Sequence, residues 1–180
     1  MKIYILKATN KKAEVFNLES PVRMFNGAPL NEHWHPPRIS RFNVGISFFD
    51  LMTCNTSSLL VATQHAYEVL LPHMGGEMEF LPTISDTNSN YFLINVISVF
   101  YQALDKCKSK ISYFSSGKIM YVNEYAFTQE IINRLYETES MVFKIDDFDI
   151  SPIFFTERFI ELLNNTGLST AFEFKMIADI

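Results

Sequence analysis

One apolar stretch, YFLINVISVFY at residues 91–101, limits the possible folds more than any other feature of this sequence. Nine of its eleven residues are apolar or aromatic, and none carries a charge. Side chains alternate between the two faces of a strand, and here both faces are apolar. This pattern predicts a strand that is covered on both sides. The stretch is too short for a membrane helix, which needs ~20 apolar residues.

Asn95 and Ser98 interrupt this run. Because buried polar groups are usually hydrogen-bonded, we expect Asn95 to be a buried amide that a neighbouring loop satisfies. The alternative is that Asn95 belongs to a binding site.

Composition and charge exclude several classes of protein. With 48% hydrophobic and 19% charged residues, the chain matches neither a disordered nor a membrane protein. The net charge of −5 argues against a general nucleic-acid binder but is compatible with a basic protein partner. The two cysteines cannot form a disulfide framework, and the apolar run Ile3–Leu6 is too short for a signal peptide. We therefore expect a reduced, cytoplasmic protein.

The remaining segments predict the fold class. Many strand-like runs are joined by short turns, and only two segments have clear helical signals. The strand-like runs include a pair at 111–114 and 118–127 around Ser115–Gly117. This pair follows a short basic run with Lys106, Lys108 and Lys110. The sequence predicts one α+β domain over residues 1–180, with a mostly antiparallel sheet and a few short helices. Residues 20–58, rich in Pro, are expected to be irregular.

The first helical segment allows two interpretations. One long helix begins at residues 57–58, or else 59–61 form a short strand and Thr63 caps a helix that ends at Leu71, before Pro72. In both cases the spacing predicts the same buried stripe, formed by Ala66, Val69, Leu70 and His73.

The second helical segment has stronger end signals. Thr156 is expected to cap a helix that runs to Asn165, and Gly167 supplies a left-handed C-terminal residue. Its inward face is predicted to hold Phe159, Ile160 and Leu163. The order of strand, Thr-led helix, Gly turn and strand containing Glu-Phe occurs in both helical segments, which suggests a repeated unit.

Two clusters are candidate sites. His33 and His35 flank the only tryptophan, Trp34. In a metal-dependent enzyme or sensor, these two histidines would be ligands together with His65 or His73. Because zinc needs three or four ligands and no second pair has matching spacing, we expect loop packing with Trp34 as the anchor.

The acidic cluster Asp146, Asp147 and Asp149 would suit a cation or a basic partner, but the calcium-loop spacing is not met. A solvated turn is the simpler interpretation. No phosphate loop, nucleotide fingerprint, nucleophile elbow or HExxH motif occurs, and no catalytic constellation can be named. From the residues alone, an enzyme remains an alternative.

The order of four stretches resembles a family of bacterial immunity proteins of polymorphic toxin systems, formerly described only as a domain of unknown function. The first stretch is the helical segment 63–70, and the second is Glu79–Pro82, similar to an E-F/L-L-P step. The third is YFLINV at 91–96 with Ala103–Asp105, similar to a YYLLNV…ALD signature. The fourth joins FTERF at 155–159, TGL at 166–168 and FEF at 172–174, similar to a SerF…TGL.F ending.

The resemblance extends from about residue 59 to residue 176, and residues 20–58 match no part of it. Threonine stands at positions 63 and 156 where that family usually has serine, which a helix cap tolerates. Ala171 stands where glycine is commoner.

The resemblance implies a non-catalytic protein that binds a cognate toxin domain inside the producing cell and blocks it. No cofactor, metal, nucleic acid or membrane is implied, and the oligomeric state is left open. The matched residues are expected to build the fold, so the toxin surface is predicted in the unmatched region and the acidic turn, at Trp34, His33, His35, Asp146, Asp147 and Asp149. The alternative is a protein or enzyme that binds a small molecule or a metal.

Overall fold

A computed structural model describes residues 1–7, 15–18, 25–43, 49–54, 56–74, 76–86, 89–148 and 151–180. The helices are α1 Gln64–Met74, α2 Gln129–Thr138 and α3 Glu157–Thr166, with a short 3-10 helix at Asn31–His33. The first seven strands are β1 Lys2–Lys7, β2 Val15–Leu18, β3 Arg38–Asn43, β4 Leu51–Cys54, β5 Thr56–Thr63, β6 Met78–Pro82 and β7 Ile84–Ser85. The other strands are β8 Tyr91–Val96, β9 Val99–Phe100, β10 Lys110–Tyr113, β11 Ile119–Glu124, β12 Val142–Ile145, β13 Phe154–Thr156 and β14 Glu173–Asp179.

These strands form three sheets. Seven strands pair in the order β6-β8-β5-β4-β2-β3-β7, five in the order β14-β1-β13-β12-β9, and β10 and β11 form a separate hairpin. Only the pairs β2–β4, β3–β7 and β9–β12 are parallel among the described strands. The predicted α+β fold with mostly antiparallel sheets is therefore confirmed. The expectation that residues 20–58 are irregular is wrong where β3, β4 and the first residues of β5 lie.

The apolar run 91–101 supplies strands to both large sheets. It forms β8 in the seven-stranded sheet and β9 in the five-stranded sheet. Between them, the Ile97 and Ser98 amides both donate to the Glu77 carbonyl, at 2.9 and 3.3 Å, and the Lys144 amide donates to the Ser98 carbonyl at 2.8 Å. The prediction of one continuous strand is wrong, because backbone partners outside the run divide it at this point.

The prediction that both faces of this run are covered is confirmed for β8. Ile94 and Val96 lie in one hydrophobic cluster, whereas Tyr91 and Leu93 lie in another on the opposite face. Because one cluster covers each face of β8, the strand has no solvent-facing side, and its sequence accordingly has no polar face.

The repeated unit suggested by the sequence is present as two split β-α-β units. Helix α1 joins β5 to β6, and β8 lies between these strands, antiparallel to both. Helix α3 likewise joins β13 to β14, with β1 inserted antiparallel between them. Both helices pack into one cluster with strands of both sheets, through residues that include Ala66, Leu70, Met74, Phe159 and Leu163. This shared core holds the two units together.

Helix α1 follows the second interpretation of the sequence. Strand β5 precedes it, and the Thr63 hydroxyl accepts a hydrogen bond from the Ala66 amide at 3.2 Å. The helix continues through Pro72 to Met74, so the predicted end at Leu71 is wrong. This extension buries Met74 and leaves His73 exposed, which corrects the predicted apolar stripe.

Helix α3 begins after Thr156 as predicted and runs one residue beyond the predicted end at Asn165, to Thr166. Gly167 has φ of 71°, and Leu168 is buried in the same cluster as Leu163. Thr156 occupies the N-cap position, but its hydroxyl donates to the Ser140 carbonyl at 2.9 Å instead of capping the helix. Thr156 therefore links α3 to the segment that precedes β12.

A third cluster covers the other face of the five-stranded sheet. It joins Ile3, Phe143 and Phe154 of the sheet to Ile131 and Leu135 of α2. Among the described helices, none has both the length and the apolar character needed to cross a bilayer.

Truncating Leu163 to alanine should lower the free energy of unfolding by about 2–5 kcal/mol, because this side chain is buried between the two split units. Phe92 is only half-buried and stacks on Tyr67 at 4.4 Å, so Phe92→Ala should cost less, about 1–3 kcal/mol. Urea unfolding measures both. Leu71→Ala, at an exposed position of α1, is the control, and a Leu163→Ala midpoint equal to that of this control would contradict the assignment of the shared core.

Candidate functional site

The segment 25–37, called here the anchored loop, leads into β3. Pro29, Pro36 and Pro37 lack amide donors and disfavour regular pairing. The other backbone groups of the loop still need partners where they are buried. Three buried polar side chains from three different strands provide them: Glu79, Asn95 and Lys144.

Glu79 lies on β6 and is 7% exposed. Its Oε2 accepts a hydrogen bond from the Leu30 amide at 2.8 Å, and its Oε1 accepts one from the Asn31 amide at 3.2 Å. These amides begin the 3-10 helix, where backbone donors have no partner within the helix. The carboxylate of Glu79 therefore fixes the start of this turn.

Asn95 lies directly opposite Glu79 in the pairing of β6 and β8, so both side chains are on one face of the sheet. It is fully buried, and its Nδ2 donates to Glu79 Oε2 at 2.8 Å and to the Ala28 carbonyl at 2.9 Å. Its Oδ1 is buried without a hydrogen-bond partner in the described part of the chain. The prediction of a buried amide is confirmed, and the neighbouring loop satisfies its Nδ2 through the Ala28 carbonyl, but its Oδ1 stays unsatisfied among the described residues.

Lys144 ties the same loop to the five-stranded sheet. It lies on β12, is 3% exposed, and its Nζ donates to the Phe25 carbonyl at 2.6 Å. Burial disfavours the charged amine and lowers the pKa of Lys144 to about 8. The loop is thus bound to both large sheets by side chains that are removed from water.

Gly27 brings the loop backbone against β9. Its φ of +98° is a conformation that side chains rarely adopt, and a Cβ at this position would lie 2.2 Å from Val99 Cγ2. Any other residue would be strained by this φ and would have to displace the Val99 side chain, so glycine is favoured here.

Trp34 is an internal anchor of the loop, as predicted. Its Nε1 donates to the Pro82 carbonyl at 2.8 Å, and its ring packs edge-on against Phe25 at 6.0 Å. The ring is half-buried, whereas His33 and His35 on either side are exposed. The described residues contain no group of three or more His, Cys, Asp or Glu side chains placed to hold a metal ion.

The acidic turn supports a neighbouring segment. Asp146 Oδ1 accepts from the Gln102 amide at 2.8 Å, and Asp147 Oδ2 accepts from the Ala103 and Leu104 amides at 3.0 and 3.3 Å. The Asp147 side chain is 2% exposed and pairs with Lys106 at 3.5 Å. The interpretation as a solvated turn is therefore wrong for Asp147, and Asp149 lies outside the described residues.

The contacts of these two candidate clusters do not overlap. Trp34 contacts Phe25 and Pro82, whereas Asp146 and Asp147 contact the segment 102–106. The residues that sequence reasoning missed are the polar anchors Glu79 and Lys144. Glu79 lies in an alternating strand, which predicts a solvent-facing carboxylate, whereas in the structure its carboxylate binds two amides of the distant loop and the side chain of Asn95.

A cleft of about 440 Å³ lies beside the point where the run 91–101 divides. Its lining includes Glu77, Ser98, Phe100, Arg134 and Ser140. The Glu77 carboxylate accepts from the Met141 and Val142 amides at 3.0 and 3.1 Å, while burial raises the pKa of Glu77 against the lowering effect of these bonds. The one carboxylate of this lining therefore serves to hold the start of β12.

No family model matches the chain, and no curated protein sequence matches it. The resemblance to immunity proteins therefore remains a prediction, carried by the four stretches named above. Two polar residues of those stretches, Glu79 and Asn95, are the pair that fixes the anchored loop.

The lowered pKa of Lys144 predicts a stability that rises with pH. Between about pH 8 and 10.5 the unfolded chain holds a proton that folded Lys144 has released, so the free energy of unfolding increases with pH. The advantage of the parent over Lys144→Met should grow across this window, by up to roughly 3 kcal/mol.

Urea unfolding at several pH values measures this difference. Cys54 and Tyr125, whose pKa values burial raises to about 12, titrate in both proteins and cancel in the comparison. Lys175→Met, at an exposed position, is the control and should show no such trend. A parent-to-variant difference that stays constant from pH 7 to 10 would show that Lys144 is not buried as described.

Proposed function

We propose that this protein is an immunity protein, which binds a cognate toxin domain in the cytoplasm of the producing cell and blocks it without catalysis. The observation that carries the proposal is that buried side chains fix the backbone of the anchored loop. Two buried polar residues within the resembling motifs, Glu79 and Asn95, hold a loop that lies outside them and that exposes Asn31, Glu32, His33 and His35.

The physical cost of this arrangement supports a binding role. Removing a carboxylate and an amine from water is unfavourable unless each is well paired, and apolar side chains would cover a sheet at lower cost. What Glu79, Asn95 and Lys144 provide in return is a fixed backbone over residues 25–31. A loop that is already ordered loses less conformational entropy when a partner binds.

The negative net charge of the protein also supports a protein partner. The net charge of −5 favours association with a basic toxin surface, since complementary fields raise the association rate and fix orientation. In this proposal the exposed side chains of the anchored loop, with Trp34 beneath them, form the main contact. Asp146 contributes from its exposed turn, whereas Asp147 acts by supporting the backbone at 103–104.

The test of this role is genetic. The C-terminal domain encoded by the adjacent gene is expressed in a sensitive host, alone and together with this protein. We expect the domain to be toxic alone and the pair to grow normally. A domain that is harmless alone, or that kills equally in the presence of this protein, would refute the immunity role.

The contact surface is tested with purified proteins. His33→Ser/His35→Ser removes two exposed side chains of the anchored loop, and His65→Ser/His73→Ser removes two exposed histidines of α1 as a matched control. We expect the loop variant to bind the inactivated toxin domain at least about tenfold more weakly, as for residues that anchor an interface, while the control keeps the affinity of the parent. Equal affinity for both variants would leave the role intact but place the interface elsewhere.

A further inference from the structure

The cleft of about 440 Å³ lies between α2 and the point where the run 91–101 divides. Helix α2 lines it with Arg134 and Thr138, and the divided run lines it with Ser98, Val99 and Phe100. Its volume is in the range of sites that bind small ligands. The cleft is therefore large enough to receive one polar group of a partner.

Most polar side chains of this lining are already bonded within the protein. Both oxygens of the Glu77 carboxylate accept hydrogen bonds from backbone amides. The hydroxyls of Thr138 and Ser140 bond to each other at 2.8 Å, and the Thr138 hydroxyl also donates to the Arg134 carbonyl at 2.8 Å. These groups stabilise the junction and leave little bonding capacity for a ligand.

Two side-chain donors of the lining have no such partner in the described part of the chain. The ion pairs found there use other cations, so the exposed Arg134 guanidinium has no carboxylate partner. Ser98 bonds through its backbone amide and carbonyl, which leaves its hydroxyl free among the described residues. The cleft therefore offers one positive charge and one hydroxyl to a ligand.

The Arg134 guanidinium is held in place by an aromatic ring. It lies over the ring of Phe100, 4.9 Å from the centroid, and Phe100 is itself buried. Stacking of this kind uses the face of the guanidinium and leaves the N–H donors in its plane free to bond. Arg134 is thus positioned at the cleft without being neutralised.

We propose that this cleft receives a carboxylate side chain, Asp or Glu, of the toxin domain, so the inference rests on the proposed function. The carboxylate accepts N–H donors of Arg134, and the Ser98 hydroxyl donates to it as well. A guanidinium matches the two oxygens of a carboxylate with two parallel donors. A phosphate group suits the cleft less well, because Glu77 repels its second negative charge in addition to the first.

A side chain of a bound protein suits the cleft better than a free carboxylic acid. An exposed ion pair contributes little by itself, whereas a free molecule loses its translational and rotational freedom when it binds. A side chain on a docked protein does not lose that freedom a second time, because the rest of the interface already holds it. The cleft is therefore suited to add specificity to a larger contact.

The anchored loop provides that larger contact close by. A Cβ on Gly27 would lie 2.2 Å from Val99 Cγ2, and Val99 lines the cleft. A single side chain of β9 thus separates the loop from the cleft, which places both within the area that one protein partner covers. Within a basic toxin surface, one carboxylate fixes the orientation of the complex, because only one arrangement brings it to Arg134.

The experiment measures the affinity of the inactivated C-terminal domain of the adjacent gene for the parent, Arg134→Gln and Lys175→Gln. Both variants remove one exposed positive charge, but only Arg134 lines the cleft. We expect Arg134→Gln to bind at least about tenfold more weakly and Lys175→Gln to bind within about threefold of the parent. Ser98→Ala, which keeps the backbone bonds, should weaken binding by about threefold or more.

A double-mutant cycle identifies the occupant of the cleft. Each Asp and Glu of the toxin domain is changed in turn to Asn or Gln, and each product is titrated into the parent and into Arg134→Gln. We expect one carboxylate whose loss weakens binding to the parent by about tenfold but changes binding to Arg134→Gln by less than about twofold. A general loss of charge attraction would weaken binding to both proteins alike.

Sodium acetate tests a free carboxylic acid as the source of the carboxylate. It is titrated into the protein alone, and the NMR shifts of the Ser98 and Phe100 amides are followed. We expect no saturation up to about 10 mM, as for an isolated exposed ion pair. Saturation within this range that Arg134→Gln abolishes would assign the cleft to free carboxylic acids and overturn the proposal.

The outcomes separate this inference from the proposed function. If the parent does not bind the toxin domain, the immunity role fails and this inference fails with it. If the parent binds, and Arg134→Gln binds as tightly as Lys175→Gln, only the role of the cleft is overturned. It is also overturned if no carboxylate of the toxin domain is coupled to Arg134. Unfolding midpoints close to that of the parent confirm that the variants fold.

Discussion

The division of one apolar run at Ile97 and Ser98 is the constraint on which the rest of the structure depends. Both amides donate to the Glu77 carbonyl, so the chain leaves the seven-stranded sheet after β8 and enters the five-stranded sheet as β9. The Glu77 carboxylate accepts hydrogen bonds from the amides of Met141, just before β12, and Val142, its first residue. Because backbone bonds join the sheets at this point, the two split β-α-β units share one core.

The same junction explains why polar groups are buried where the chain has no evident chemistry. Glu79 and Asn95 precede it on β6 and β8, and Lys144 lies beside it on β12. Each of them binds the backbone of the anchored loop, so the loop is fixed relative to both sheets at once. A rigid frame that presents an ordered loop is suited to recognising a protein surface.

The sequence predicted the parts of the fold that depend on local pattern. The apolar residues on both faces of 91–96 identified a strand that is covered on both sides, and Gly167 correctly marked the end of α3. What it did not reveal depends on partners far along the chain. Glu79 is buried by amides 48 and 49 residues away, which alternation within β6 cannot indicate. His73 was misplaced because the buried positions of α1 are four residues apart, at Ala66, Leu70 and Met74. Trp34 was identified as an anchor because its two histidine neighbours lacked a full set of metal ligands, and its bond to Pro82 depends on a strand far along the chain.

Glu79 holds the anchored loop in one conformation through its bonds to two loop amides. Amide hydrogen exchange at Leu30 and Asn31 tests it most directly, since both amides bond to that carboxylate. We expect slow exchange in the parent and exchange faster by on the order of tenfold in Glu79→Gln, with the Thr83 amide, bonded to Tyr91, unchanged as an internal reference. Unprotected Leu30 and Asn31 amides in the parent, or equal protection in both proteins, would contradict the account.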